Sequence, residues 1–344
     1  MRFFGRRAGV NGALHPRDRF VHDEYIDPVL PGSGPLSISA KILGINPGDW
    51  NVTAQVVSPM PPVSRVRARM RVQEPEKILE PARWSWLRWA LVPRAPRQLK
   101  ARLAPLTGFA RIPAVIPGSW LFLVTLGVVI GFIFQGALLP HARIASSSVF
   151  LISLLAVAAA LLGAKTWYVA LNLRSWRTAL THEGWCIQGA LVGATVVGIG
   201  ILAVQRLPIG LVVDATTPGL FLGIAVGRLG CFFTGCCAGR PSTSRFALWC
   251  SDRRVGARRI PTQLLESLSG AAIGVASLVV FLRVPLAAPG ALFLASMAAY
   301  TLCRQPLLQL RLERRRTAVG VRLTAALAAL VLAASVAWLI ASTV

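Results

Sequence analysis

The sequence predicts an all-α polytopic membrane protein of about seven transmembrane helices, preceded by a small β-containing N-terminal region. Three observations carry that prediction. Hydrophobic residues make up 54% of the 344 positions, mean hydropathy is +0.60, and only 15% of residues are charged. A soluble domain with that balance lacks the polar surface to cover itself. Apolar runs of spanning length, about 17 to 25 residues, recur after residue 116. The first 116 residues hold 18 of the 37 Lys and Arg and 8 of the 13 acids, so the chain divides into an N-terminal region, 1–116, and a membrane domain, 117–344.

Within the N-terminal region Leu36, Ile38, Ala40 and Ile42 alternate with Ser37, Ser39 and Lys41. Asn46-Pro47-Gly48-Asp49 then turns the chain, and Val52, Ala54 and Val56 alternate with Asn51, Thr53 and Gln55. Period-two alternation on both sides of a turn predicts a β-hairpin. Arg83-Trp84-Ser85-Trp86-Leu87-Arg88-Trp89 follows, with Arg94, Arg97, Lys100 and Arg102 after it. Tryptophan and arginine together favour the headgroup layer of a bilayer, and a solvated basic linker is the plainer reading. The formal charge of +24 comes with no nucleic-acid recognition motif, which excludes nucleic acid as the expected partner.

Seven spans can be drawn, at 117–139, 146–171, 185–205, 209–229, 262–283, 286–303 and 320–343. The last three are rich in Ala, Gly and Ser, which suits close helix packing in lipid. The start, Met1-Arg2-Phe3-Phe4-Gly5-Arg6-Arg7, is charged but has no apolar core of a secretory signal behind it. Cationic loops vote for a cytoplasmic N-terminus and an external C-terminus, because the opposite face holds Arg143, Arg206, Arg283 and little else. Asp214, inside the fourth span, needs a partner, and Lys165 is the obvious candidate.

Gly227-Arg228-Leu229-Gly230-Cys231-Phe232-Phe233-Thr234-Gly235-Cys236-Cys237-Ala238-Gly239-Arg240-Pro241 is the most informative stretch. It reads as a glycine-dense loop directly after an apolar helix, placing Arg228 at or inside the membrane. An arginine there costs about 2.5 to 3.5 kcal/mol on an insertion scale unless it faces protein, water or an anionic partner. The glycines at 227, 230, 235 and 239 let backbone fold closely around it.

This stretch resembles the signature loop of the bacterial prolipoprotein diacylglyceryl transferase family, and other family motifs follow the same order over 120–312. Gly163-Ala164-Lys165-Thr166-Trp167-Tyr168-Val169 is similar to a second-helix motif, with lysine in an arginine's place. Gly184-Trp185-Cys186-Ile187-Gln188-Gly189-Ala190-Leu191-Val192-Gly193 is similar to the opening of the third helix, with Gln188 replacing a histidine. Asp214 and Pro218 precede the loop as in the family. Pro261-Thr262-Gln263-Leu264-Leu265-Glu266 is similar to the start of the fifth helix, and Tyr300, Arg304 and Arg311 match the family's Tyr and two Arg by spacing.

The resemblance implies a seven-helix body in the bacterial inner (plasma) membrane. It implies transfer of a diacylglyceryl group from phosphatidylglycerol, or another anionic phospholipid, to the lipobox cysteine of prolipoproteins, with glycerol phosphate leaving. No cofactor and no metal are expected. Such chemistry needs cations for the departing phosphate and a base for the thiol. Arg228 and Arg304 are the catalytic cations, with Lys165 and Arg311 beside them, since guanidinium forks match phosphate oxygens. Gln188 can orient a substrate but cannot hold a proton as a base, which leaves Tyr300, one turn from Arg304, as the catalytic candidate. His182 is a second, lesser one. Gly227, Gly230, Gly239 and Glu266 complete the expected substrate-binding set, although Glu266 can equally serve as a structural partner for an arginine. The resemblance also implies that the loop lies on the outer face, against the charge vote.

Cys231, Thr234 and Cys236 replace the family's polar residues, which leaves open a second class of function: a non-catalytic or retooled relative that binds anionic lipid without the base. For the cysteines four readings compete. They are a metal site, a disulfide with Cys250, nucleophiles made reactive by nearby arginines, and small apolar packing residues. Arg253, Arg254, Arg258 and Arg259, and Arg314, Arg315, Arg316 and Arg322, read as ordinary flanking charge.

Overall fold

The computed structural model describes residues 2–10, 12–24, 37–38, 41–46, 49–55, 57, 82–85, 90–93, 99–100, 109–111, 118–173, 176, 180, 185–252, 255–284, 287–312 and 318–342. His182, Gly184, Arg253, Arg254, Arg314, Arg315 and Arg316, and the predicted turn at Pro47-Gly48, lie outside them. The chain forms two compact units, one of 1–120, 231–263 and 310–313, the other of 121–230, 264–309 and 314–344.

The first unit is built from strands. β1 (Arg2–Arg7) pairs antiparallel with β2 (Arg19–Asp23) and with β5 (Asp49–Gln55), and β5 continues to β8 (Leu99–Lys100), giving the order β2-β1-β5-β8. Its core is aromatic. Trp50 is 1% exposed, stacks against Phe20 at 5.6 Å between ring centroids, and donates its indole N–H to the Asn46 carbonyl at 3.1 Å. Asp18, buried beside it, accepts from Asn46 Nδ2 at 2.9 Å and Arg7 Nη1 at 3.2 Å.

The predicted strand segments are present, but their pairing is not local. β3 (Ser37–Ile38) adds to β11 (Val255–Arg259), which pairs with β10 (Leu248–Ser251), and β4 (Lys41–Leu43) pairs with β9 (Phe109–Arg111). Only β5 joins the sheet of β1. An isolated two-stranded hairpin is marginal in water; here β5 gains two partners, β1 and β8, and β3 joins a three-stranded sheet. The Trp- and Arg-rich stretch forms a separate antiparallel pair, β6 (Ala82–Ser85) with β7 (Ala90–Pro93).

The second unit takes its core from helices. In chain order the helices are α1 (Ser119–Leu138), α2 (Ser146–Leu171), α3 (Ile187–Val204), α4 (Ile209–Thr234), α5 (Thr262–Arg283), α6 (Ala291–Gln309) and α7 (Ala318–Ala341). Six are long and apolar enough to cross a membrane, all but α6. This is a multi-pass membrane protein. Five helices carry Leu, Ile, Phe or Val more than half exposed, such as Phe122, Leu162, Val196, Leu268 and Leu330, as lipid-facing surfaces do. Inside, Leu138, Val149, Ile152, Leu202, Val212, Phe281 and Leu292 pack into one cluster.

Helices meet where side chains vanish. A Cβ on Gly127 of α1 would stand 2.5 Å from the Gly223 carbonyl oxygen of α4. A Cβ on Gly189 of α3 would collide with the Gly163 carbonyl of α2, and one on Gly193 with that of Ala159. Small residues give lipid-embedded helices the close approach that dispersion forces require.

Candidate active site

Arg228 lies in a helix and not in the loop that the glycine density suggested. The fourth apolar segment continues past 229 to Thr234, so Gly227 and Gly230 are helical, and a Cβ on Gly227 would make only ordinary contact with Val124 at 3.7 Å. The chain breaks at Gly235, whose φ of 73° is in the left-handed region that glycine tolerates.

Facing Arg228 is Glu266, one turn into α5. Arg228 Nε is 3.0 Å from Glu266 Oε2, and Arg304 Nε, from α6, is 3.9 Å from Oε1. The carboxylate is 1% exposed, against 17% for Arg228 and 29% for Arg304. A carboxylate so buried is tolerated only when paired. Here two guanidinium groups converge on it, so the cluster of two cations and one anion keeps one net positive charge. Tyr300 precedes Arg304 by one helical turn on the same face. Its ring packs against Phe221 of α4 at 5.6 Å, and its hydroxyl is buried with no hydrogen-bond partner among the described residues.

Lys165 and Gln188 are held by other partners. Lys165 Nζ stands 5.5 Å from the Trp185 ring and 5.8 Å from the Tyr168 ring, a cation–π arrangement. Gln188 is exposed and accepts from the Cys186 thiol at 2.7 Å. Asp214 takes its bonds elsewhere than the expected Lys165. Its carboxylate accepts from the backbone N–H groups of Gly290 at 2.6 Å and Phe293 at 2.8 Å, capping the start of α6.

In the first unit Gly239 and Arg311 form an antiparallel bridge, and Arg311 is buried. A Cβ on Gly239 would collide with the Ile260 carbonyl, so the glycine is there for close backbone approach. The sequence of residues 118–341 matches the prolipoprotein diacylglyceryl transferase family. The chain belongs to this family.

Several curated relatives carry the name phosphatidylglycerol–prolipoprotein diacylglyceryl transferase. One from Dehalococcoides mccartyi is 33% identical over 130 residues, 36% of this chain and 49% of its own length. One from Thermosynechococcus vestitus is 29% identical over 194 residues, 53% of this chain and 72% of its own. One from Streptomyces coelicolor, numbered 2, is 36% identical over 168 residues, 46% and 52% respectively. The chain thus spans about half the length of the first and third of these relatives.

Within this transferase-family chain, the loop after α4 is tied down by its own unit. Gln263 Nε2 donates to the Cys236 carbonyl at 3.0 Å and Thr262 Oγ1 to that of Cys237 at 3.1 Å. Arg259, which reads in sequence as flanking charge, is 2% exposed and donates to Asp252 Oδ2 at 2.7 Å and to the Gly239 carbonyl at 3.3 Å. Arg258 likewise bonds the carbonyls of Ser244 and Ala247. Both are structural residues of the β10–β11 hairpin. The only sequence signal for this was an acid, Asp252, seven positions before Arg259.

Among the cysteines, Cys250 is buried in β10, and burial pushes its thiol up to about 11. Hydrogen bonds with the Cys231 and Cys237 thiols, with burial added, push the Cys236 thiol far above the ordinary range. That direction is opposite to the one expected of a nucleophile made reactive by nearby arginines.

Proposed function

We propose that this protein transfers a diacylglyceryl group from phosphatidylglycerol, or another anionic phospholipid, to the lipobox cysteine thiol of prolipoproteins in the bacterial inner membrane. The observation that carries the reading is the Arg228–Glu266–Arg304 cluster, two guanidinium groups held over one buried carboxylate in a family member. In the reaction the thiol gives up its proton, its sulfur attacks the glycerol carbon, and the carbon–oxygen bond to phosphate breaks. Glycerol phosphate leaves with the electron pair of that bond. The developing charge on its oxygens is what Arg228 and Arg304 stabilise. Glu266 fixes where the two guanidinium groups point, and Tyr300, acting as its phenolate and returning to the phenol, is the proposed proton acceptor. Lys165, Gln188 and Arg311 are the further residues proposed to bind substrate, with Gly227, Gly230 and Gly239 shaping the backbone near them.

In this reading residues 117–344 form the catalytic membrane domain, residues 1–116 an accessory region, and the loop after α4 faces outward. Expression in cells depleted of their own diacylglyceryl transferase tests it. Thioether-modified lipoprotein is expected to reappear, and Arg228→Ala is expected to lower that yield by about 10²- to 10³-fold, as loss of a transition-state donor does. Correctly inserted protein that yields no modified lipoprotein overturns the proposal. Gln188→His serves as a gain-of-base control and is expected to raise activity.

A further inference from the structure

Three of the six cysteines fall within seven residues, at the end of α4 and the turn after it. Cys231 is buried in the last helical turn, while Cys236 and Cys237 are partly exposed. The Cys236 backbone N–H donates to the Cys231 carbonyl at 3.1 Å, and its thiol points the same way, 3.8 Å from that oxygen. The Cys236 thiol also meets the sulfurs of both Cys231 and Cys237. None of the six cysteines is in a disulfide in this structure. Among the described residues no group of three or more His, Cys, Asp or Glu side chains is arranged to hold a metal ion.

From this geometry we propose that Cys231 and Cys236 form a dithiol site that closes reversibly to an intrachain disulfide at the end of α4. The inference is independent of the transfer reaction proposed above. A disulfide needs its two Cα atoms within about 4.4 to 6.8 Å and its Cβ atoms facing. The main-chain hydrogen bond from Cys236 to Cys231 holds the two backbones together, and the Cys236 thiol is turned toward Cys231. The alternatives fit less well. Cys236 and Cys237 are adjacent, which forces a strained eight-membered ring, and Cys237 is already in a left-handed conformation at φ 56°. Cys250 sits buried in β10, where the charged neighbours of its thiol are Arg259 and Asp252.

The oxidant is a disulfide, from a protein or a small molecule, acting by thiol–disulfide exchange. A thiolate of the pair attacks one sulfur of the incoming disulfide and releases its other half as a thiol. The second cysteine then attacks the mixed disulfide and releases the remaining half. Two thiols are oxidised, one disulfide is reduced to two thiols, and the two protons pass to them. Gln263 and Thr262 hold the carbonyls of Cys236 and Cys237 throughout, so the cross-link forms within a turn that is already fixed.

Full-length protein in membranes is equilibrated over a series of reduced to oxidised glutathione ratios, unfolded in alkylating reagent, and mapped by peptide mass spectrometry. Cys231 and Cys236 are expected to leave the alkylatable pool together, linked to each other, and to return on reduction. Cys237→Ser is expected to retain the link. Cys231→Ser is expected to lose it and leave Cys236 only as a glutathione adduct or free thiol. Linkage of Cys236 to Cys237 or Cys250, or free thiols at both positions across the whole series, overturns the proposal.

Discussion

Glu266 shows how a single residue can be legible by position and not by role. Its place in the Pro-Thr-Gln-Leu-Leu-Glu motif marked it for the site. That it serves two arginines follows only from three helices meeting around it. Glu266→Gln leaves the two guanidinium groups facing a neutral amide, and breaking a buried pair this way costs about 3 kcal/mol or more. A lowered unfolding midpoint in detergent, larger than for Gln188→Ala at an exposed position, is the expected result. Arg259 was misread because seven positions of separation carry no meaning until β10 and β11 fold back on each other. Asp18 gives the pH-dependent case. The Asn46 amide, then Arg7 and the His15 backbone N–H, hold its carboxyl below the usual carboxylate range against the opposing effect of burial. A depressed folded value means the stabilisation is complete above the unfolded value, about 3.9, and is lost as pH falls through the folded one. Hydrogen exchange in β1 and β2 is therefore expected to accelerate on acidification below that value, and Asp18→Asn is expected to flatten the dependence.

Among the elements, helices were far more legible than strands. Apolar runs gave α2 and α5 with their boundaries, and α4 was drawn short because Arg228 and the glycines around it look like the end of a span. They are tolerated inside the helix because Glu266 answers the charge. The N-terminal strand segments were visible in their alternation, but the partners were not, since β3 pairs with a strand more than 200 positions away. Period-two patterning reports a pleat and says nothing of what lies beside it. The α2–α3 contact makes the sharpest test at this scale. A methyl group at Gly189 must push the two helix backbones apart, so Gly189→Ala is expected to destabilise by about 1–3 kcal/mol, whereas Gly200→Ala, in the same helix with open space around it, is expected to be neutral. Thermal unfolding of the two variants side by side distinguishes them.

Among the described residues the seven helices contain two acids, Asp214 and Glu266, and both reach α6. Asp214 holds its first turn through Gly290 and Phe293, while Glu266 holds Arg304 near its other end. Asp214→Ala removes a cap worth about 0.5–2 kcal/mol. It is expected to lower transfer activity as well as stability, although the residue lies away from the arginines, and activity measured well below the unfolding temperature separates the two effects. Phe293 and Arg304 are eleven residues apart, about 16 Å along a helix. A rod gripped at two points that far apart can neither slide by one residue nor rotate without breaking a grip. Bilayers that differ in thickness, which tilt and shift singly anchored helices, should therefore leave the spacing of Tyr300 and Arg304 from Arg228 unchanged.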